Sequence, residues 1–242
     1  KNPLIEVICQ LKFPRILRIE KAPPCEVQEE FMSAYPLLES SQAIEFAAPV
    51  AGSPTPIAVN RGPAYDFLSE DRRWKLALAS DFLALSTVNY VSWNEFHERL
   101  RRAIEVITPK YKIKCFTRVG LRYQDVVVRS KFGLEAHSWS ALLRKEFAGA
   151  VASDVFVERD ITDALSVITF RLDCDAGMCR IRHGIAKRND SPELGYLIDA
   201  DFFAERSTEV NDVETLLGTY HREAARLFSW CITDALHESM DP

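Results

Sequence analysis

Two stretches of this chain carry the same signal in the same order. Phe82-Leu83-Ala84-Leu85-Ser86-Thr87 runs into Ser92-Trp93-Asn94-Glu95, and Tyr196-Leu197-Ile198-Asp199-Ala200-Asp201 runs into Asn211-Asp212-Val213-Glu214. Each joins an extended apolar segment to a capping box, in which a Ser or Asn side chain caps a helix and a Glu three residues on reaches back. Each also ends a half of the chain that opens with a strand and a short helix. The expectation is a duplicated unit of strands and helices, which confines architecture far more tightly than activity.

In the first half, residues 4–13 alternate, with Ile5, Val7, Cys9, Leu11 and Phe13 on one face and Glu6, Gln10 and Lys12 on the other. Pro23-Pro24 introduces a helix over 25–35, closed by Pro36. Strands are expected at 43–48, 64–69, 73–79 and 82–91, with the Pro- and Gly-rich stretch 49–63 as a loop and Asp71-Arg72 as a turn. After Ser92, the residues Trp93, Phe96, Leu100, Ile104 and Ile107 form one helical stripe, and Pro109 lies just past its end.

The second half repeats that order. A long strand over 113–128 bends at Gly120, and a helix over 138–148 carries Trp139, Leu142, Leu143 and Phe147. Strands follow at 154–159, 166–173, 179–187 and 195–204, with turns at Asp175-Ala176-Gly177 and 188–193. A last helix over 212–239 would span about 40 Å. Each half, 1–111 and 112–242, thus reads β-α-β-β-β-β-α, the two forming one continuous α+β domain. Its largely antiparallel, curved sheet would collect the helices on one face. The same order of elements occurs in the duplicated saddle of the TATA-binding protein, a topological analogy that carries no function with it.

Composition removes several classes. With 35 acidic and 30 basic residues the formal charge is −5, which disfavours a generic polyanion binder but leaves room for a local basic patch. No apolar run approaches the about 18–20 residues of a membrane-spanning helix, and no secretory leader is recognised. Cys9, Cys25, Cys115, Cys174, Cys179 and Cys231 are dispersed and form no Cys-x-x-Cys. They read as buried free thiols in a cytoplasmic protein. A Gly-rich phosphate loop, Gly-x-Ser-x-Gly and His-Glu-x-x-His are all missing. Glu158, Asp160, Asp163, Asp173 and Asp175 read as solvated turn residues. His183 reads as a structural strand histidine, and Trp93 and Trp139 as core anchors. No catalytic residue, metal ligand or cofactor is expected.

One constellation stands out. Alternation puts Arg118 and Arg122 on one face of their strand and Arg180 and Arg182 on one face of theirs, with Arg171 and Asp173 on the neighbouring strand. Asp199 and Asp201 also share a face. Two readings compete. An open arginine face would bind an anion, a nucleic-acid backbone or an acidic protein segment. Alternatively, Arg180 and Arg182 face Asp199 and Asp201 across a hairpin and are internally paired.

Asn2-Pro3-Leu4-Ile5-Glu6-Val7, Leu11-Lys12-Phe13-Pro14, Phe82-Leu83-Ala84-Leu85-Ser86-Thr87, Trp93-Asn94-Glu95-Phe96, Arg118-Val119-Gly120-Leu121-Arg122-Tyr123 and the terminal Met240-Asp241-Pro242 together resemble a sporadically distributed family of uncharacterised prokaryotic proteins of about this length. The resemblance covers nearly the whole chain and supplies no catalytic residues. Its patchy distribution implies an accessory, mobile or defence-linked role, and it adds Tyr123 to the candidate binding residues Arg118, Arg122, Arg171, Arg180 and Arg182. The leading expectation is a non-enzymatic protein that binds a protein partner or forms a homo-oligomer. A nucleic-acid-binding saddle on the arginine face is the alternative, and an enzyme or receptor for a small phosphorylated ligand bound between the halves comes third.

Overall fold

The computed structural model describes residues 2–47, 57–153, 155–187 and 193–240. It is an α+β protein built, among the described residues, on a large antiparallel sheet of nine strands. β1 (Leu4–Lys12) buries Val7, Cys9 and Leu11 on one side and turns Glu6, Gln10 and Lys12 to the other, as its alternation requires. Two short helices, α1 (Leu17–Lys21) and α2 (Cys25–Phe31), bury Ile19, Val27 and Phe31. α2 is therefore shorter than the expected 25–35.

β2 (Leu37–Ala47) begins directly after Pro36 and pairs with β3 (Ile57–Leu68). Residues 57–63, read from composition as loop, are strand instead; 48–56 lie outside the described residues. The physical reason is a bulge. The register shifts between Gln42 and Ile44, where Gly62 has φ +100°, so the Gly-Pro pair is absorbed as an irregularity in the ladder. β4 (Trp74–Ala79) and β5 (Phe82–Thr87) continue the antiparallel series. In the turn before β4, the Asp71 carboxylate accepts from Ser69 Oγ (2.6 Å) and the Arg73 N–H (3.0 Å), while Arg72 takes φ +58°.

α3 (Trp93–Tyr111) opens as the capping signal requires, with Ser92 Oγ accepting from the Glu95 N–H at 3.3 Å. It buries Phe96, Leu100, Ala103, Ile104 and Ile107. Pro109 lies inside its last turn, not beyond it, and Lys112 closes the helix at φ +56°. The expected strand 113–128 is divided: β6 (Cys115–Phe116) and β7 (Arg118–Val127) flank Thr117, whose N–H donates to Lys12 O at 2.7 Å.

After β7 come three one-turn helices, α4 (Arg129–Phe132), α5 (Trp139–Leu142) and α6 (Lys145–Ala148). Then β8 (Ala164–Arg171), β9 (Met178–Lys187), β10 (Leu194–Ala204) and β11 (Thr208–Glu209) lead to α7 (Val213–Cys231) and α8 (Asp234–Ser239). The helices expected at 138–148 and 212–239 are both broken, and by one event. Leu143 forms an antiparallel bridge with Ile232; the Arg144 N–H donates to Cys231 O and the Thr233 N–H to Leu142 O, each at 3.0 Å. Backbone groups that would continue either helix are spent between them.

The strand expected at 154–159 is absent among the described residues there. Glu158 begins a 3-10 turn, pairs with Arg129 (2.7 Å) and accepts the Trp139 N–H (2.7 Å), capping α5. The second capping box is also altered: Asn211 sits inside a 3-10 turn, Val210–Asp212, that precedes α7. The turn expected at 188–193 falls, apart from Glu193, outside the described residues.

The strands are hydrogen-bonded in the order β2-β3-β4-β5-β1-β7-β10-β9-β8, and β6 pairs separately with β11. Two compact units divide the chain. The first, residues 8–119 with 205–214, packs around Leu11, Leu76, Leu78, Leu83, Phe96 and Leu100. The second, residues 1–7, 120–204 and 215–242, packs around Trp139, Leu142, Tyr196, Ile198, Phe202, Leu217 and Tyr220. In the second, Gly184 allows β8 to lie close to β9, for a Cβ there would stand 1.8 Å from Ala164 O.

A candidate binding face on the second unit

One face of the second unit's strands is closed by its helices. Tyr196 of β10 packs on Trp139 of α5 at 5.5 Å between ring centroids, and its hydroxyl meets His183 Nδ1 at 2.9 Å. Phe147 stacks on His183 at 4.0 Å and meets Trp230 of α7 edge-on. Burial lowers the His183 pKa and pushes those of Cys179 and Cys231 up to about 12. These thiols are protonated and shielded, so they are not nucleophiles. Asp125 lies on this closed face as well, its pKa raised to about 7 by burial and then by the charge of Asp199. Tyr123 points the same way, its hydroxyl 3.0 Å from His221 Nδ1.

The opposite face carries the arginines. Asp199, only 2% exposed, is held from two sides. From β7, Arg122 donates through Nε to Oδ1 (2.6 Å) and through Nη2 to Oδ2 (2.7 Å); from β9, Arg182 donates through Nε to Oδ2 (2.9 Å). Burial acts to raise the Asp199 pKa, but the hydrogen bonds and charges of both arginines outweigh it and hold the carboxyl below its usual range. Gln124, with its amide oriented to suit its neighbours, accepts from Arg122 Nη2 (2.6 Å) and donates to Glu6 (3.2 Å).

Register explains why these side chains meet. Asp199 lies opposite Arg182 and Asp201 opposite Arg180 in the β9–β10 ladder, the arrangement the internally paired reading requires. That reading holds for Arg182. Arg180 remains exposed, its guanidinium 5.6 Å from the Phe203 ring centroid and its Nε 3.4 Å from Thr169 Oγ1. Arg171 is exposed at the end of β8, on the same face. Beside them Leu165 and Val167 are 61% and 56% exposed.

The candidate residues therefore divide. Arg122, Arg180, Arg182 and Arg171 share one face of the second unit, while Tyr123 faces the helices. Arg118 belongs to the first unit, with Nη1 3.4 Å from Gln10 Oε1 and Nε 3.9 Å from Glu205. Two features were not anticipated: Asp199 as a carboxylate shared by Arg122 and Arg182, and the apolar exposure of β8. The first had a signal, two aspartates alternating within an apolar strand. The second had a weaker one, since Val167, Ile168 and Phe170 read equally well as core.

Three cysteines, Cys9, Cys179 and Cys231, are buried as expected, but Cys25 and Cys174 are exposed. Among the described residues no group of three His, Cys, Asp or Glu side chains is placed to hold a metal ion, and no helix is long and apolar enough to cross a membrane. No protein-family model matches the chain, and no curated protein matches it.

Proposed function

We propose that this chain is a non-enzymatic binding protein that recognises a protein partner through the open face of its second unit. The observation that carries the reading is the company the exposed arginines keep. Arg180 stands over the Phe203 ring, and it and Arg171 share their face with exposed Leu165 and Val167. Arginine and aromatic groups around apolar surface are the composition of protein interfaces. Asp199 already engages Arg122 and Arg182, which lowers the charge left for a phosphate backbone. The resemblance to a sporadically distributed prokaryotic family extends this reading to an accessory, mobile or defence-linked gene set.

The order of elements supports an internal duplication. Strands neighbour one another in the order β1, β5, β4, β3, β2 in one series and β7, β10, β9, β8 in the other, and each series is followed in the chain by a 19-residue helix. The second series is one strand shorter because Glu158 caps α5 where the first copy would place a strand. The saddle of the TATA-binding protein remains the topological analogy, and a nucleic-acid-binding role for the arginines is the second reading.

A native tagged pull-down from the source cells, run in parallel with Arg180→Glu, separates the two. A stoichiometric protein retained by the wild type and lost by the variant, with no excess absorbance at 260 nm, supports the protein-binding reading. Nucleic acid released steeply by salt would overturn it in favour of the second.

A further inference from the structure

β8 is the last strand of its sheet, with β9 its one ladder partner among the described residues, and it is exposed along nearly its whole length. Leu165, Val167, Ile168 and Phe170 are 61%, 56%, 50% and 38% exposed, covering both faces of the strand. From Ala164 to Phe170 it contains no charged residue, proline or glycine. Such an edge is a template for another strand. Its two charges stand at its ends: Asp163 precedes it and Arg171 closes it. Both are exposed, and neither has an ion-pair partner among the described residues.

We infer that β8 pairs antiparallel with β8 of a second copy of this chain, across a two-fold axis through Val167. The register follows from symmetry and charge. An axis perpendicular to the sheet keeps each face continuous, so every residue must lie opposite one of its own parity, and the axis must pass through a residue. Centred on Val167, the pairing sets Leu165 opposite Thr169, Ala164 opposite Phe170 and Asp163 opposite Arg171, giving an ion pair at each end. Centred on Ser166 or Ile168, it would set Arg171 opposite Ile161 or Leu165 and forfeit both pairs. The Val167 register also suits the other face. Ala164 lines a hollow of about 340 Å³ with Phe156 and Val157, which are 55% and 56% exposed. The second copy's Phe170 ring would enter beside it.

This inference deepens the protein-binding reading by naming one partner, yet its test is separate: Arg180→Glu lies outside the β8 register and leaves self-association unchanged. The experiment is sedimentation velocity of the full chain over a concentration series, for wild type, Arg171→Asp, Asp163→Arg and the double exchange. The wild type sediments as a dimer. Each single exchange puts like charges at both ends and weakens self-association by about tenfold or more; the double exchange restores it. Both positions of substitution are exposed, and far-UV circular dichroism confirms that each variant is folded. A monomeric wild type would overturn the inference, as would a double exchange no better than either single one, or a dimer indifferent to all three variants.

Discussion

β2 and β8 are the two terminal strands of the same sheet, and each therefore presents a row of backbone groups with no ladder partner on its outer side among the described residues. β2 carries Glu39, paired with Arg72 at 2.6 Å, and its register slips between Gln42 and Ile44. Charge and bulge are the ordinary devices that keep an edge from adding strands. β8 has neither: its ladder to β9 runs unbroken from Ala164 to Arg171, and its interior is Leu, Ser, Val, Ile, Thr and Phe. The contrast teaches that edge protection is a local choice of residues, not a property of the fold. Where it is withheld, the strand is available for pairing.

The largest expected effect separates β8 from the strand behind it. Ile181 of β9 is 2% exposed, and Ile181→Ala should cost about 2–4 kcal/mol in chemical denaturation. Leu165→Ala, on β8, should stay within about 0.5 kcal/mol under conditions where the protein is monomeric. Equal losses would mean that β8 is a core strand after all. Next, Asp199→Ala leaves Arg122 and Arg182 without their shared acceptor and should cost about 2–3 kcal/mol, with Asp199→Asn recovering only part of that.

A more gradual effect follows from Asp125. Its folded pKa of about 7 lies above that of an unfolded aspartate, so the folded state holds the proton more tightly. Stability should fall as pH rises from about 4 to about 7, by at most about 1.4 kcal/mol per pH unit, and level off above that. Asp125→Asn should flatten this slope in thermal melts. Asp199 acts with the opposite sign, since its lowered pKa stabilises the fold above the usual carboxylate range and that stabilisation is lost in acid. A wild-type slope of the same steepness in Asp125→Asn would remove the buried carboxyl as its source. The smallest effect belongs to the protected edge: Glu39→Gln breaks an exposed ion pair, should change stability by less than about 1 kcal/mol, and should leave sedimentation unaltered.

Where strands alternate cleanly, their identity was legible in the residues. β1, the pairing of β9 with β10 and the facing of Arg180 and Arg182 against Asp199 and Asp201 all follow from period two. So did the start of α3, because Ser92 caps it from next door. The breaks in the helices at Leu143-Arg144 and Ile232-Thr233 were not legible, since each is caused by the other across a long stretch of sequence. Glu158 is a similar case: its preference is set by Arg129 and the Trp139 N–H, which local pattern does not reveal. In the candidate face, Arg182–Asp199 could be read from register, but Arg122–Asp199 needed the order of strands, which places β7 beside β10.

The most direct measurement of the unguarded edge is oxidative cross-linking of Val167→Cys against Leu165→Cys. On the two-fold axis, the introduced thiols at 167 face each other with Cα atoms about 4.5–5.5 Å apart, within disulfide reach. Those at 165 lie four residues out of register, about 13 Å apart. Relative to the parent chain with its own exposed Cys25 and Cys174, mild oxidation should convert Val167→Cys to a covalent dimer and leave Leu165→Cys monomeric on denaturing gels. Cross-linking of both to the same extent, or of neither, would contradict a β8 edge paired with its copy through Val167.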